Sequence, residues 1–232
     1  MEKLNVLYED NQIIVVLKPQ NIPTQSDVSG SEDMLSLVKK YVKEKYQKEG
    51  EAFIGLVHRL DRPTGGVMVF ARNSKSAKRL AEQFKNHTTE KIYYAVTTKV
   101  VREKSKTLVN YLEKNEKENI VKVVPMLSSG AKKAELTYRE LENNGQMSLL
   151  EVKILTGRSH QIRVQLSTLG YPLYGDGKYG KNKDVATKNL GLWAGKLSFI
   201  HPTTKEKMVF MACPDTEKEP WKNFRMEKYF AR

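Results

Sequence analysis

One acidic side chain stands among bases in the stretch VHRLDRPTGG, residues 57–66. Asp61 is surrounded by His58, Arg59 and Arg62, and the stretch ends in two glycines, which is typical of a turn. A nearby cation favours the charged form of a carboxylate. An ionised carboxylate held in one orientation suits nucleophilic attack better than general acid catalysis. The alternative is a structural ion pair, and charge content alone does not decide between the two.

A second dense group of polar side chains occurs in the stretch TGRSHQIR, residues 156–163. Ser159 is a typical N-cap, so the pattern predicts a helix over residues 159–169 that stops before Gly170. A helix N-terminus with Arg158 beside it could bind a phosphate. The alternative is a surface helix with ordinary basic residues.

This helix is predicted to have two different faces. His160 and Arg163 are three residues apart and would share one face. The apolar side chains on the other face are Ile162, Leu166 and Leu169. An arginine from this helix could hold Asp61 in one orientation through a bidentate pair.

The composition indicates a polyanionic partner. Among 232 residues, Lys and Arg number 40 and Asp and Glu number 27, which gives a net charge of +13. Such a balance favours nucleic acid as the partner, although a basic surface can also serve solubility. The length suits a single domain over residues 1–232.

Cysteine use and hydropathy indicate a cytoplasmic protein without a membrane anchor. Cys213 is the only cysteine, which excludes a disulfide within the chain and fits a reducing compartment. The longest apolar run, IIVVL, is far too short to span a bilayer. No coiled-coil pattern occurs, so we expect a monomer.

The remaining patterns predict the elements that must position these two stretches. Helices are predicted over residues 31–49 and 74–86, a strand pair within residues 4–19, and a hairpin from residues 133–141 and 147–155. Further strands are predicted at residues 66–72, 91–100, 196–200 and 207–212, whereas residues 101–125 give no clear pattern. The expected fold is α+β, with a mostly antiparallel central sheet, flanking helices and a catalytic cleft.

Several kinds of chemistry are disfavoured by the motifs. The chain has no GxxxxGK[ST] phosphate loop and no GxSxG nucleophile elbow. One cysteine and four widely spaced histidines argue against a zinc site. A metal-dependent nuclease using Asp61, His58 and Asp176 stays open as an alternative.

Both stretches resemble one known family. HRLDRPTGG is similar to the HRLD-x-x-[ST]-[SG]-G signature of the RluA family of RNA pseudouridine synthases, and TGRSHQIRVQLSTLGYPLYGDGKYG resembles that family's downstream motif. EKIYYAV is similar to its K-x-Y-x-A strand, and LWAGKLSFIHPTTKEKMVFMACP to its closing hairpin. The similarity runs from about residue 4 to residue 214 in the same order.

The resemblance implies a pseudouridine synthase fold and a set of catalytic residues. Asp61 would be the catalytic aspartate that attacks the sugar or the base of a target uridine. Tyr93 would be the active-site tyrosine, although a core aromatic is the alternative and Tyr94 could equally be the core residue. Arg163 would be the basic residue that pairs with the aspartate. The resemblance also implies that no cofactor and no metal is needed, which agrees with the missing motifs.

The resemblance also implies RNA-binding residues. Arg59 would occupy the space of the flipped base, and Ile162 would line the uracil pocket. The remaining base-binding or RNA-binding candidates in the two motifs are His58, Arg62, Arg158 and His160. We expect the small N-terminal RNA-binding domain of many relatives to be absent, so RNA would be held by the basic surface, including Lys75, Lys78, Arg79 and Lys85.

The leading hypothesis is thus an isomerase, an RNA pseudouridine synthase acting on ribosomal RNA first and transfer RNA second. The alternative from another class is a non-catalytic RNA-binding or ribosome-assembly factor on the same fold. Residues 102–122 are either a variable insertion that touches RNA or a solvated loop.

Overall fold

The structure is a computed structural model and describes residues 4–27, 30–47, 49–180 and 189–231. In chain order its elements are β1 (Asn5–Glu9), β2 (Ile13–Lys18), α1 (Met34–Lys45), β3 (Gly55–Leu56), β4 (Gly65–Ala71), α2 (Ser74–Lys85), β5 (Glu90–Thr97), β6 (Ser105–Asn115), β7 (Ile120–Val124), β8 (Lys132–Asn143), β9 (Ser148–Ile154), α3 (Gln161–Thr168), β10 (Leu192–Ile200), β11 (Lys207–Met211) and α4 (Glu227–Phe230). None of the helices in these ranges is long and apolar enough to cross a membrane.

The chain divides into two compact units, residues 1–90 with 194–212 and residues 91–193 with 213–232. All strand pairs whose register the structure describes are antiparallel, and few helices accompany them. The predicted α+β class with a mostly antiparallel sheet is therefore confirmed. The single domain over residues 1–232 stays a prediction.

The first unit is built on two apolar strands. Strand β2 pairs with β1 and with β4, β3 pairs with the far end of β4, and β11 pairs with β10. Every residue of β4 is buried, as its unbroken apolar run predicts. Helix α2 begins after Asn73, whose side chain accepts the Ser76 N–H, and it buries Leu80 in the core of this unit.

The second unit is a sheet in the order β5-β9-β8-β6-β7. The predicted hairpin is confirmed as β8 and β9, with Gly145 at φ 85° in its turn. The unassigned residues 101–125 form a second hairpin from β6 and β7. Helix α3 packs on this sheet, with Ile162 and Leu166 in one buried cluster and Val164 in another. The predicted apolar face of the helix is therefore confirmed.

Two helix boundaries differ from the prediction. Helix α1 spans Met34–Lys45 rather than residues 31–49, because the Asp33 carboxylate caps it by accepting the Ser36 N–H at 3.0 Å. Its chain leaves the helix at Gln47, at φ 47°, before the predicted stop at Gly50. Lys48, within the predicted range, lies outside the described residues.

Helix α3 begins at Gln161 and not at Ser159. The residue before it is His160, at φ 51°, and its side chain makes no capping hydrogen bond. The reason lies in Gln161, whose Oε1 accepts the Arg158 N–H at 3.1 Å and the Thr156 hydroxyl at 2.8 Å. These bonds hold residues 156–160 as a loop, so the predicted Ser159 cap is wrong.

Candidate active site

Asp61 lies in a tight turn that leads into strand β4. Its backbone C=O accepts the Thr64 N–H at 2.9 Å, and Thr64 is buried. Gly66 follows at φ 127°, and a Cβ on it would lie 2.2 Å from the Ala194 oxygen. Both the conformation and the space therefore require glycine here. The last glycine of the motif is explained by this close backbone approach.

The side chain of Lys18 binds backbone oxygens of this turn. Its side chain is fully buried at the end of β2, and Nζ donates to the C=O groups of Pro19, Arg62 and Thr64 at 3.0, 3.0 and 2.7 Å. Burial lowers the pKa of Lys18 to about 7, while the charge of the Asp61 carboxylate opposes this shift. Lys18 thus fixes the main chain after Asp61 and lies within electrostatic reach of that carboxylate.

The other motif bases of the first unit have different surroundings. The Nε2 of His58 accepts the Val69 N–H at 3.1 Å, and its ring stacks on Phe84 at 4.6 Å. The nitrogen that accepts this hydrogen bond carries no proton. Both contacts of the imidazole lie within the first unit. Arg59 is exposed. Arg62 is also exposed, and its Nε donates to the Asn21 C=O at 3.1 Å.

In the second unit, Arg163 has a carboxylate partner that the sequence analysis did not foresee. Its Nε and Nη2 donate to Oδ2 and Oδ1 of Asp176, both at 2.8 Å, and the Arg163 side chain is only 5% exposed. The Asp176 Oδ1 also accepts the backbone N–H groups of Lys178 and Tyr179. Burial alone would raise the pKa of Asp176, but Arg163 and these N–H groups lower it overall.

His160 and Arg163 both contact the ring of Tyr179, although His160 precedes the helix that was predicted to carry both on one face. The Nδ1 of His160 is 2.7 Å from the hydroxyl oxygen of Tyr179, and the Arg163 guanidinium lies 5.2 Å from the centre of the same ring. Arg158 is exposed, and its Nε donates to the Lys133 C=O at 3.0 Å. The predicted phosphate site required a helix that begins at Ser159, directly after Arg158. Helix α3 begins at Gln161 instead.

The two adjacent tyrosines of β5 lie on opposite faces of the sheet. Tyr93 packs against the buried cluster that contains Ile162, so it faces the side covered by α3. Tyr94 is buried against Phe230, with ring centres 4.6 Å apart, and burial raises its pKa to about 12. Tyr94 is therefore the core residue of the pair. Ile162 itself is 5% exposed.

The nuclease alternative finds no support in the donor set. Within the residues that the structure describes, no group of three or more His, Cys, Asp or Glu side chains is placed to hold a metal ion. Asp176 is bound by Arg163, and His58 accepts a backbone N–H. Two of the three side chains proposed as ligands are thus engaged within their own units.

Sequence reasoning missed three residues that position the motif side chains. Lys18 lies within the predicted strand pair of residues 4–19, and nothing in the neighbouring sequence distinguishes a buried lysine from an exposed one. Asp176 was considered as a metal ligand rather than as the partner of Arg163. Tyr179 lies in the glycine-rich stretch GDGKYG, residues 175–180, which forms a turn in which the Gly180 N–H donates to the Asp176 C=O.

A family model described as RNA pseudouridylate synthase matches residues 12–168, which include Asp61, Tyr93 and Arg163. The chain belongs to this family. The expected RluA-type catalytic domain is confirmed by relatives named ribosomal large subunit pseudouridine synthase C and D. Because this family consists of pseudouridine-forming isomerases, the expected enzyme class is confirmed as well.

Three relatives illustrate the similarity. An uncharacterized RNA pseudouridine synthase of Mycoplasma pneumoniae is 34% identical over 211 residues, covering 90% of this chain and 66% of that protein. One of Aquifex aeolicus is 34% identical over 220 residues, covering 89% and 68%. Ribosomal large subunit pseudouridine synthase D of Borreliella burgdorferi is 35% identical over 179 residues, covering 76% and 54%. The chain thus spans about two thirds of the length of the first two relatives.

Solved structures of the family share the fold. Human RNA pseudouridylate synthase domain containing 4 superposes with a TM-score of 0.76 at 23% identity, covering 90% of this chain and 87% of that one. Human RNA pseudouridylate synthase domain containing 1 gives 0.73 at 24% identity, covering 95% and 86%. These likenesses confirm the pseudouridine synthase fold.

Proposed function

We propose that the chain isomerises specific uridines in structured RNA to pseudouridine, with Asp61 as the nucleophile. The observation that carries the proposal is the built turn around Asp61, inside the segment that matches the family. Ribosomal RNA is the first candidate substrate, because several relatives carry the name ribosomal large subunit pseudouridine synthase. Transfer RNA is the second candidate.

The reaction rearranges one nucleoside and balances without another reactant. The bond between N1 of uracil and C1′ of ribose breaks, and a bond between C5 and C1′ forms. The hydrogen on C5 leaves as a proton, and N1 gains one. Asp61 would attack either C1′ of the ribose or C6 of the uracil, and both routes regenerate the carboxylate.

The target base must leave its stack before a carboxylate in a tight turn can reach it. Arg59 is exposed on the same motif, which suits its proposed role of filling the space that the base vacates. In the second unit we propose Tyr93 and Arg163 as the other catalytic residues. Tyr93 would stack on the uracil or relay a proton at C2′.

We propose that Arg62, Arg158 and His160 contact the RNA. His58 and Ile162 pack within their own units, which suits a supporting role for the loop and the helix that carry them. The net charge of +13 supports a polyanionic substrate, and binding should weaken steeply with salt if the lysines touch phosphates.

The test is tritium release from transcripts labelled at C5 of uridine, since only formation of the new C5–C1′ bond expels that hydrogen. Unmodified large-subunit ribosomal RNA and transfer RNA transcripts are compared with the intact chain and with Asp61→Asn. A matched control is Asp215→Asn, because Asp215 is an exposed acid paired with Lys218. We expect release by the intact chain and by the control, and none by Asp61→Asn.

Filter binding on the same transcripts separates the two candidate classes. Asp61→Asn should bind RNA like the intact chain, because the substitution preserves the size of the side chain. Release of tritium by Asp61→Asn at the intact rate would refute the nucleophile. Tight binding without any release by the intact chain would favour a non-catalytic RNA-binding factor.

A further inference from the structure

Arg163 is held by more than its ion pair with Asp176. The Tyr179 ring lies under its guanidinium, 5.2 Å from ring centre to Cζ, which is within the range of cation–π attraction. The Tyr179 backbone N–H also donates to the Asp176 Oδ1 at 3.1 Å. One residue therefore touches the arginine with its ring and fixes the partner carboxylate with its backbone.

The phenol of Tyr179 joins a strand to a helix. Its oxygen accepts the Val121 N–H of β7 at 2.9 Å and lies 2.7 Å from the Nδ1 of His160, just before α3. At the other end of α3, the Ser167 hydroxyl donates to the Tyr179 C=O at 2.6 Å. Tyr179 is thus fixed from the strand and from both ends of the helix that carries Arg163.

Strand β7 belongs to the β6–β7 hairpin. In the sequence analysis, most of this hairpin is left open as either a variable insertion or a solvated loop. Val121 packs with Val164 of α3 in one buried cluster, and Tyr179 packs against that cluster. The Lys178 ammonium donates to the Asn119 C=O in the turn of the same hairpin, at 2.8 Å. Helix α3, which carries Arg163, and the loop that carries Asp176 therefore both pack against the β6–β7 hairpin.

We propose that Tyr179 is a positioning residue for Arg163, and that the β6–β7 hairpin influences catalysis through it. The inference rests on the proposed function, in which Arg163 is a catalytic residue. Asp176 binds one edge of the planar guanidinium, through Nε and Nη2, and the ring of Tyr179 limits rotation of that plane. A displacement of about 1 Å in a catalytic group can reduce turnover about 100-fold.

Two variants separate the hydroxyl from the ring. Tyr179→Phe keeps the ring under Arg163 and removes the hydrogen bonds to Val121 and His160. Tyr179→Leu removes these hydrogen bonds and the aromatic ring as well. On transcripts labelled at C5, we expect kcat to fall about 10-fold for Tyr179→Phe, which keeps the ring, and about 100-fold for Tyr179→Leu, which loses it. The KM for the transcript should stay unchanged in both.

The chain offers a matched control in Tyr171→Phe. The Tyr171 hydroxyl also accepts a backbone N–H, that of Arg102 at 3.2 Å, and its ring also packs against the core of the same unit. We expect it to lose a similar amount of stability in urea unfolding and to keep its kcat. A merely structural Tyr179→Phe would match this control in both measurements, which would overturn the proposal.

A double substitution tests whether Tyr179 acts through Arg163. In an Arg163→Lys background, Tyr179→Phe should cause no further loss of kcat, because the oriented guanidinium is already gone. Losses that multiply would contradict the proposal, and so would an unchanged kcat in both Tyr179 variants. If Tyr179→Leu fails to fold, Tyr179→Phe and the double substitution carry the test. Absence of tritium release by the intact chain would instead refute the proposed function itself.

Discussion

Each unit of the molecule contains a buried cation that bears on the proposed catalysis, Lys18 in the first unit and Arg163 in the second. The two cations differ in their hydrogen-bond partners. Lys18, beneath the Asp61 turn, donates to three backbone oxygens. Arg163, itself proposed for catalysis, donates to both oxygens of the Asp176 carboxylate. The first arrangement uses neutral acceptors and the second an opposite charge.

The difference has electrostatic consequences. Burial lowers the pKa of Lys18 to about 7, so its charge can change near neutral pH. Arginine stays protonated, and the pKa of Asp176 is lowered, so the second pair stays charged over the whole neutral range. We infer that the Asp61 turn is sensitive to pH where the arginine helix is not. The following experiments break or sharpen this contrast.

The largest effect is expected from breaking the charged pair with Asp176→Ala. Removal of one partner leaves Arg163 buried without its carboxylate, which typically costs about 3–5 kcal/mol. Urea unfolding measures the loss. Asp215→Ala is the matched control, since that acid forms an exposed pair with Lys218, and it should leave the unfolding free energy nearly unchanged. Equal effects in the two variants would show that the pair in the second unit is not special.

The same pair predicts a dependence on acid. Because the pKa of Asp176 is lower in the folded protein than in the unfolded chain, its stabilisation is complete above the ordinary range of aspartate. It is lost as the pH falls through the folded-state value. Acid unfolding of Asp176→Ala should therefore show a weaker pH dependence than that of the intact chain.

A smaller effect is expected from Gly66→Ala in the first unit, where main-chain packing holds the turn. A Cβ would lie 2.2 Å from the Ala194 oxygen at φ 127°, so we expect a loss of about 3 kcal/mol from strain and overlap. Gly145→Ala is the control, because Gly145 also has positive φ but has open space around it. It should lose about 1 kcal/mol in urea unfolding. Equal losses would mean that the contact with Ala194 gives way.

Lys18→Met tests the pH sensitivity of the turn. A lysine with a lowered pKa binds fewer protons in the folded state than in the unfolded chain between about pH 7 and its ordinary value. The unfolding free energy of the intact chain, relative to Lys18→Met, should therefore rise with pH in that window, by up to about 1.4 kcal/mol per pH unit. Lys75→Met, at an exposed position, should show no such slope. If the difference in unfolding free energy between the intact chain and Lys18→Met does not change with pH, the inferred pH sensitivity of the turn is contradicted.

The smallest effects are expected on the surface of α2. Lys75, Lys78 and Lys85 are exposed, whereas Arg79 donates to the Pro202 C=O at 2.9 Å. If the lysines touch phosphates, neutralising each one should lower the slope of log affinity against log salt by about 1. Arg79→Gln should instead lower stability and leave the slope unchanged. An unchanged slope for all three lysines would place the RNA elsewhere.

The strands and the α+β class could be predicted from the sequence because apolar runs and turn residues are local signals. Strand β4 and the hairpin from β8 and β9 are such cases. The β6–β7 hairpin could not, since its mixed charges fit a solvated loop equally well. Its buried side, with Leu112 and Val121, is visible only once α3 packs on it.

The candidate site could be predicted for the residues inside dense motifs and not for their supports. Asp61 and Arg163 stand among recognisable neighbours. Lys18 binds backbone oxygens, which leave no mark in residue type, and Asp176 reaches Arg163 from a loop 13 residues away. The same limit explains the Ser159 error, because the Gln161 side chain accepts the Arg158 N–H and the Thr156 hydroxyl and so holds the residues before it as a loop.

The most direct test of the central claim compares RNA from cells that lack this chain with RNA from the same cells carrying it. Pseudouridines are mapped by carbodiimide modification and primer extension, with Asp61→Asn as the inactive control. The account predicts at least one uridine, in ribosomal or transfer RNA, that is converted by the intact chain and not by Asp61→Asn. Conversion by Asp61→Asn, or no difference at any uridine, would contradict it.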